Sequence, residues 1–187
     1  MIVAITGGTG FIGKKLVARL VERGDTVRLL TRNPAPSGNS SLVQMHECDL
    51  LKAGVNELSV MLDGVDVLYH CAGQLKNQLT MRALHVDATR RLAEAASQRV
   101  GHWVQLSSVG VYGPVMEGTV TEDSALNPAG EYEITKTESD QIVVAAANKG
   151  ALSYSILRPS NVFGAEMTNQ SLFGMVSMID RGLFFHI

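Results

Sequence analysis

Ile2-Val3-Ala4-Ile5-Thr6-Gly7-Gly8-Thr9-Gly10-Phe11-Ile12-Gly13 is a short apolar run, a glycine-rich turn and the opening of a helix. Ile2 to Ile5 is β-branched except for Ala4, which suits a buried parallel strand. After the glycines, Phe11, Ile12, Leu16, Val17, Leu20 and Val21 recur at helical spacing, and Gly24 supplies a stop. The glycines therefore sit where a strand meets a helix N-terminus. There Gly7 permits a tight turn, Gly10 admits a pyrophosphate against the backbone, and Gly13 lets helix and strand pack closely. The helix N-terminus offers free N–H groups and partial positive charge to phosphate. The spacing, G-x-x-G-x-x-G, is one residue longer than the common dinucleotide form, but the strand and helix that should flank such a site are both present.

Outward from that stretch, strand-like runs alternate with helical ones. Strands are expected at Thr26–Thr31, Leu42–His46, Val65–His70, His102–Leu106 and Ser153–Leu157. Helices are expected at Ala53–Leu62, Gln78–Gln98, Glu131–Asn148 and Leu172–Ile179, with turn-rich loops at Asn33–Ser41 and Gly110–Gly130. Such alternation predicts an α/β fold, a Rossmann-type doubly wound parallel sheet in order 3-2-1-4-5-6. Gly7, Arg32, Gly73, Ser108 and Arg158 all follow strands, so the expected topology brings them to one edge of the sheet.

Composition narrows the function classes. The chain has 187 residues, 45% hydrophobic, with a net charge of -2, which disfavours a nucleic-acid partner held by a basic patch. No apolar run approaches the ~18 residues of a membrane span, and the N-terminus enters a strand directly without a basic leader. No membrane partner and a cytoplasmic location are expected. Cys48 and Cys71 are isolated and read as free thiols in a reducing compartment. The five histidines have no ligand spacing, so no metal site is expected.

Two features carry chemistry. The second strand ends at Thr31-Arg32-Asn33 with no acid for the ribose hydroxyls, which favours NADP over NAD, Arg32 accommodating a 2′-phosphate. Tyr132 and Lys136 lie four apart, on one helical face, and Ser108 ends the fifth strand. A phenol with an ordinary pKa near 10 needs a neighbouring ammonium, and the positive charge of an oxidised nicotinamide, to act as a base at neutral pH. With Ser108 on the same substrate oxygen, Tyr132 would move a hydroxyl proton while hydride passes to or from the cofactor.

With these residues the chain resembles the extended short-chain dehydrogenase/reductases, the NAD(P)-dependent epimerase/dehydratase family. The resemblance runs from residue 1 to about Gly164, through Thr6 to Gly13, Asp49-Leu50, His70-Cys71-Ala72-Gly73, Leu106 to Gly113, Tyr132 with Lys136, and Leu157 to Gly164. It implies Ser108, Tyr132 and Lys136 as the catalytic trio, with Tyr132 and Lys136 also at the nicotinamide ribose side. It implies cofactor contacts from Gly7, Gly10, Phe11, Ile12, Gly13, Arg32, Asp49 and Leu50 (the last two at adenine), Cys71, Ala72, Gly73, Pro159, Asn161 and Val162. The implied activity is hydride transfer at a secondary alcohol or ketone of a small-molecule substrate, a nucleotide sugar being the expectation. The alternative is a catalytically silent Rossmann protein that senses NADP(H) or holds a partner.

Three departures stand out. His85 occupies a place where the family commonly has asparagine. Ser108-Val109-Gly110 replaces the threonine-Asp-Glu of the dehydratases, which argues against sugar dehydration. Family members also usually continue for a substrate-binding portion, whereas this sequence stops at Phe184-Phe185-His186-Ile187 after an apolar helix. Residues 1–164 are therefore expected to form the dinucleotide-binding domain and 165–187 the start of an incomplete substrate-binding segment. An apolar surface left there is expected to drive self-association into a homo-oligomer or poor solubility, with negligible turnover by this chain.

Overall fold

The computed structural model describes residues 1–34, 41–150, 152–167 and 171–183, the side chain of Ser171 excepted. Six strands form one parallel sheet: β1 (Ile2–Thr6), β2 (Thr26–Thr31), β3 (Val43–Glu47), β4 (Val65–His70), β5 (Val100–Leu106) and β6 (Ser153–Leu157), in order β3-β2-β1-β4-β5-β6. β1 lies centrally, with Ile5 opposite Leu29 of β2 and Tyr69 of β4. Val3, Ala4, Ile5 and Thr6 have no exposed surface. A strand buried on both faces needs apolar residues at consecutive positions, and that explains the unbroken run at the N-terminus.

The helices are α1 (Phe11–Glu22), α2 (Val55–Leu62), α3 (Gln78–Arg82), α4 (Ala88–Ala96), α5 (Glu131–Asn148) and α6 (Ser171–Asp180). On one face α1 lays Leu20, with the partly buried Leu16, Val17 and Val21, against Val3, Ile5, Val27 and Leu29. A larger core gathers Leu58 and Leu62 of α2, Leu92, Ala95 and Ala96 of α4, Val143 of α5 and Leu68 and Trp103 of the sheet. Each fully buried leucine there contributes about 1.5–3 kcal/mol relative to exposure.

Differences from the expected elements are local. β3 begins one residue later, β5 begins at Val100 and α2 at Val55. The long helix expected over Gln78–Gln98 is interrupted by a π-turn over Ala83–Asp87 and stops at Ala96. Beyond it Gln98 takes a φ of 62°, a left-handed conformation that helix cannot continue through. A short 3-10 turn, Val109–Tyr112, follows β5. Most of the Asn33–Ser41 loop and the terminal Phe184–Ile187 lie outside the described residues. No helix among the described residues is long and apolar enough to cross a membrane.

Candidate active site at the carboxyl ends of the strands

The glycine turn is built around two close approaches. Gly7 has a φ of +69°, and a Cβ there would lie 2.6 Å from the Ala72 backbone nitrogen. A Cβ on Gly13 would lie 2.2 Å from the Gly7 carbonyl oxygen. Only glycine fits where the turn, the start of α1 and the loop after β4 meet. Gly10 stands at the N-cap of α1 with no side-chain cap, and the first turn holds no acid among the described residues. The helix end is thus left to an anion.

Two adjoining hollows open at this edge. One, of about 550 Å³, is bordered by Gly7, Gly10, Arg32, Asp49, Leu50, Cys71, Ala72 and Gly73. The other, of about 750 Å³, is bordered by Gly7, Gly10, Phe11, Ile12, Gly13, Cys71, Ala72, Gly73, Ser108, Tyr132, Lys136, Pro159, Asn161 and Val162. The residues expected from sequence to contact a dinucleotide or reacting groups therefore all line one continuous edge. The shared glycine turn and residues 71–73 join the two hollows. That shape fits a two-part ligand with phosphates at the α1 N-terminus.

In the smaller hollow Arg32 is exposed, while Asp49 accepts from the Leu51 amide at 3.1 Å. Arg91 of α4 braces the same turn, donating to the carbonyl oxygens of Leu50 at 2.6 Å and Ala53 at 3.0 Å. In the larger hollow the end of α5 brings Tyr132 and Lys136 together. Lys136 is 3% exposed and donates through Nζ to the Leu106 carbonyl at the end of β5. Burial lowers its pKa to about 8, against the opposing pull of Asp140 and Cys71. Ser108 Oγ accepts from the Gly110 amide at 3.2 Å, which fixes the hydroxyl at the start of the 3-10 turn.

The chain by itself does not make the phenol a base. Burial, then the charges of Glu133 and Asp140, push the Tyr132 pKa up rather than down. Desolvation of the phenolate is the largest cause, and both nearby carboxylates act in the same direction. Tyr132 is a protonated donor at neutral pH until further positive charge arrives.

Several residues of the site carried no motif. Leu75, Met167, Leu172 and Met175, beside Phe163 of the Leu157–Gly164 stretch, give the larger hollow an apolar side. Beneath the floor, Asp140 Oδ2 accepts from Ser107 Oγ at 2.7 Å and from Arg158 Nε and Nη2 at 3.3 Å each. Arg158 also donates to the Tyr112 hydroxyl at 2.7 Å. The arginine ending β6 thus ties β5, β6 and α5 together. Acid–base pairs 18 residues apart carry no sequence signal; only the sheet order joins them. Among the described residues, no group of three His, Cys, Asp or Glu side chains could hold a metal ion.

The buried lysine has a measurable consequence. Its folded-state pKa of about 8 lies below the ordinary 10.5, so between those values the unfolded chain binds the extra proton. The stability contribution of Lys136 therefore rises with pH across that window. Urea unfolding of the parent and Lys136→Met at pH 7.5 and pH 10 should show the variant losing ground relative to the parent. A difference that stays constant with pH contradicts a depressed lysine.

The chain is similar to known proteins in sequence and fold. The model of the NAD dependent epimerase/dehydratase family matches residues 3–183. The dTDP-6-deoxy-L-talose 4-dehydrogenase (NAD(P)(+)) of Kitasatospora kifunensis is 34% identical over 183 residues, covering 94% of this chain and 57% of the relative. The UDP-glucose 4-epimerase of Mycolicibacterium smegmatis is 29% identical, covering 96% of this chain and 62% of the relative. Among solved structures, MoeE5 in complex with UDP-glucuronic acid and NAD superposes with a TM-score of 0.81 at 30% identity, over 92% of this chain and 58% of that one. The chain spans somewhat more than half the length of these proteins.

Proposed function

The chain belongs to the NAD dependent epimerase/dehydratase family, and from that premise we propose that it carries the dinucleotide-binding and hydride-transfer half of an NADP(H)-using oxidoreductase or epimerase. Its substrate is a secondary alcohol or ketone of a nucleotide sugar. Residues 1–164 serve as the dinucleotide-binding domain, and 165–187 open the substrate-binding segment. The observation that supports this reading best is the meeting of Ser108, Tyr132 and Lys136 with the glycine turn around one hollow of about 750 Å³. The nucleotide-sugar assignment is supported by the sugar nucleotides named for the relatives.

A bound nicotinamide supplies or accepts the hydride at the substrate carbon. In the direction of reduction, Tyr132 gives its phenolic proton to the carbonyl oxygen as the carbinol forms. Ser108 Oγ donates a hydrogen bond to that same oxygen and stabilises the charge that develops on it. Lys136, anchored on the Leu106 carbonyl, places positive charge beside the phenol and stabilises the phenolate left when that proton has gone. In the reverse direction Tyr132 takes the hydroxyl proton, helped by the ammonium and by the oxidised cofactor's charge.

Arg32 is assigned to the 2′-phosphate. A charge-assisted hydrogen bond contributes about 1.5–3 kcal/mol, so Arg32→Ala should weaken NADP+ binding by roughly ten- to a hundredfold and leave NAD+ binding within about twofold. Calorimetric titration of both cofactors against parent and variant tests this. Tighter NAD+ binding by the parent, or an unchanged NADP+ affinity in the variant, overturns the assignment.

A further inference from the structure

We propose that His85 is a positioning residue that clamps the loop after β4 to the helix carrying Tyr132, holding the dinucleotide floor and the reacting phenol in fixed relation. The proposal rests on the reading of the two hollows as a dinucleotide site.

His85 sits in the π-turn over Ala83–Asp87 and is 1% exposed. π-turns bulge a helix locally and tend to mark functional sites. Here the bulge seats an imidazole between two elements of the site. Its Nε2 lies 2.9 Å from the Gln74 backbone nitrogen, and its Nδ1 lies 2.9 Å from Thr135 Oγ1. A backbone N–H can only donate, so Nε2 must be the unprotonated acceptor. The ring's one proton is therefore on Nδ1 and is donated to Thr135 Oγ1. The threonine hydroxyl in turn has the carbonyl oxygens of Glu131 and Tyr132 within reach, at 2.8 Å and 3.1 Å. The ring also stands edge-on to Tyr132, with centroids 5.6 Å apart and planes at 79°.

The far side of the clamp is equally committed. Gln74 borders the smaller hollow, and its side-chain oxygen accepts from the Lys76 and Asn77 amides at 3.1 Å and 3.3 Å. One imidazole thus fixes the point from which the 74–77 loop hangs. Burial, then the Lys136 charge, holds its pKa down at about 4. The ring stays neutral, and Nε2 remains free to accept, throughout the neutral range.

Three substitutions separate the clamp from simple filling of space. His85→Phe keeps a ring of similar shape and removes both hydrogen bonds. His85→Gln reaches as far as Nε2 and can restore the bond to Gln74. His85→Asn reaches only as far as Nδ1 and can restore only the bond to Thr135. Expected for His85→Phe are NADP+ binding weakened by about tenfold and faster amide exchange at Gln74. His85→Gln should recover affinity to within about threefold, and His85→Asn should not. Nitrogen-15 spectra of the parent should report an Nδ1–H tautomer for His85, which needs no variant to fold. Parent-like affinity in His85→Phe, equal rescue by both amides, or an Nε2–H tautomer overturns the clamp. If the parent binds no dinucleotide, the functional reading fails, while the tautomer and the Gln74 exchange rates still decide the clamp.

Discussion

Tyr132→Phe should lower the rate of hydride transfer by about 10²–10⁴-fold while weakening NADP+ binding by no more than about tenfold. The substitution removes one oxygen and keeps the ring that stands against His85, so the fold and the hollow persist. What disappears is the proton that a carbonyl oxygen needs as hydride arrives. Because burial holds the phenol above its ordinary pKa, the parent is protonated through the neutral range. Reduction of a keto-sugar nucleotide should therefore show no loss of rate between pH 6 and pH 8 from this group, while oxidation of the alcohol should speed up toward alkaline pH. NADPH oxidation followed at 340 nm measures the effect in parent and variant each joined to a complete substrate-binding portion, since turnover by residues 1–187 alone is expected to be negligible. A variant that turns over as fast as the parent removes Tyr132 from the reaction.

The second large effect concerns stability. Asp140 is 2% exposed and receives Ser107 and both Arg158 contacts on one oxygen, Oδ2. Asp140→Ala leaves the half-buried Arg158 without its carboxylate at the junction of β5, β6 and α5. Breaking a buried pair by removing one partner costs about 3–5 kcal/mol, which for a chain of this size lowers the unfolding midpoint by roughly 10 °C. The exposed pair Arg90–Asp87, at 3.3 Å, is the control: Arg90→Ala should change stability by less than about 1 kcal/mol. Thermal unfolding followed by circular dichroism distinguishes the two. Equal, small shifts in both variants contradict a structural role for the Asp140 cluster.

The sequence made the sheet legible because its central strands are buried on both faces. Ile2–Ile5 has no polar alternation to confuse the reading, Val65–His70 is interrupted only by the exposed Asp66 before its last residue, His70, and β6 and α5 have the expected bounds. The glycine turn was legible for a related reason: positions where a Cβ would meet backbone at 2.2–2.6 Å admit no other residue. What stayed hidden depends on contacts between distant segments. Nothing in Gln78–Gln98 announces a π-turn, since its apolar spacing is helical throughout; the interruption becomes intelligible only with Thr135 and Gln74 on either side of His85. Arg158 was recognised as a residue at a strand end, but its partner Asp140 reads in sequence as one more polar position on a helix. The burial that raises the Tyr132 pKa was also hidden, because helical spacing reports the nearby ammonium and says nothing of how deeply the phenol sits.

The central claim is that one dinucleotide lies across the glycine turn with its reactive end beside Tyr132. Titration of the nitrogen-15-labelled chain with NADP+, followed by backbone amide shifts, tests this most directly. A single saturating site is expected, with Gly7 to Gly13, residues 71–73 and residues 160–162 shifting together, and with Arg32 responding to NADP+ but little to NAD+. Saturation without movement at the glycine turn, or no saturation by either cofactor, would contradict the account.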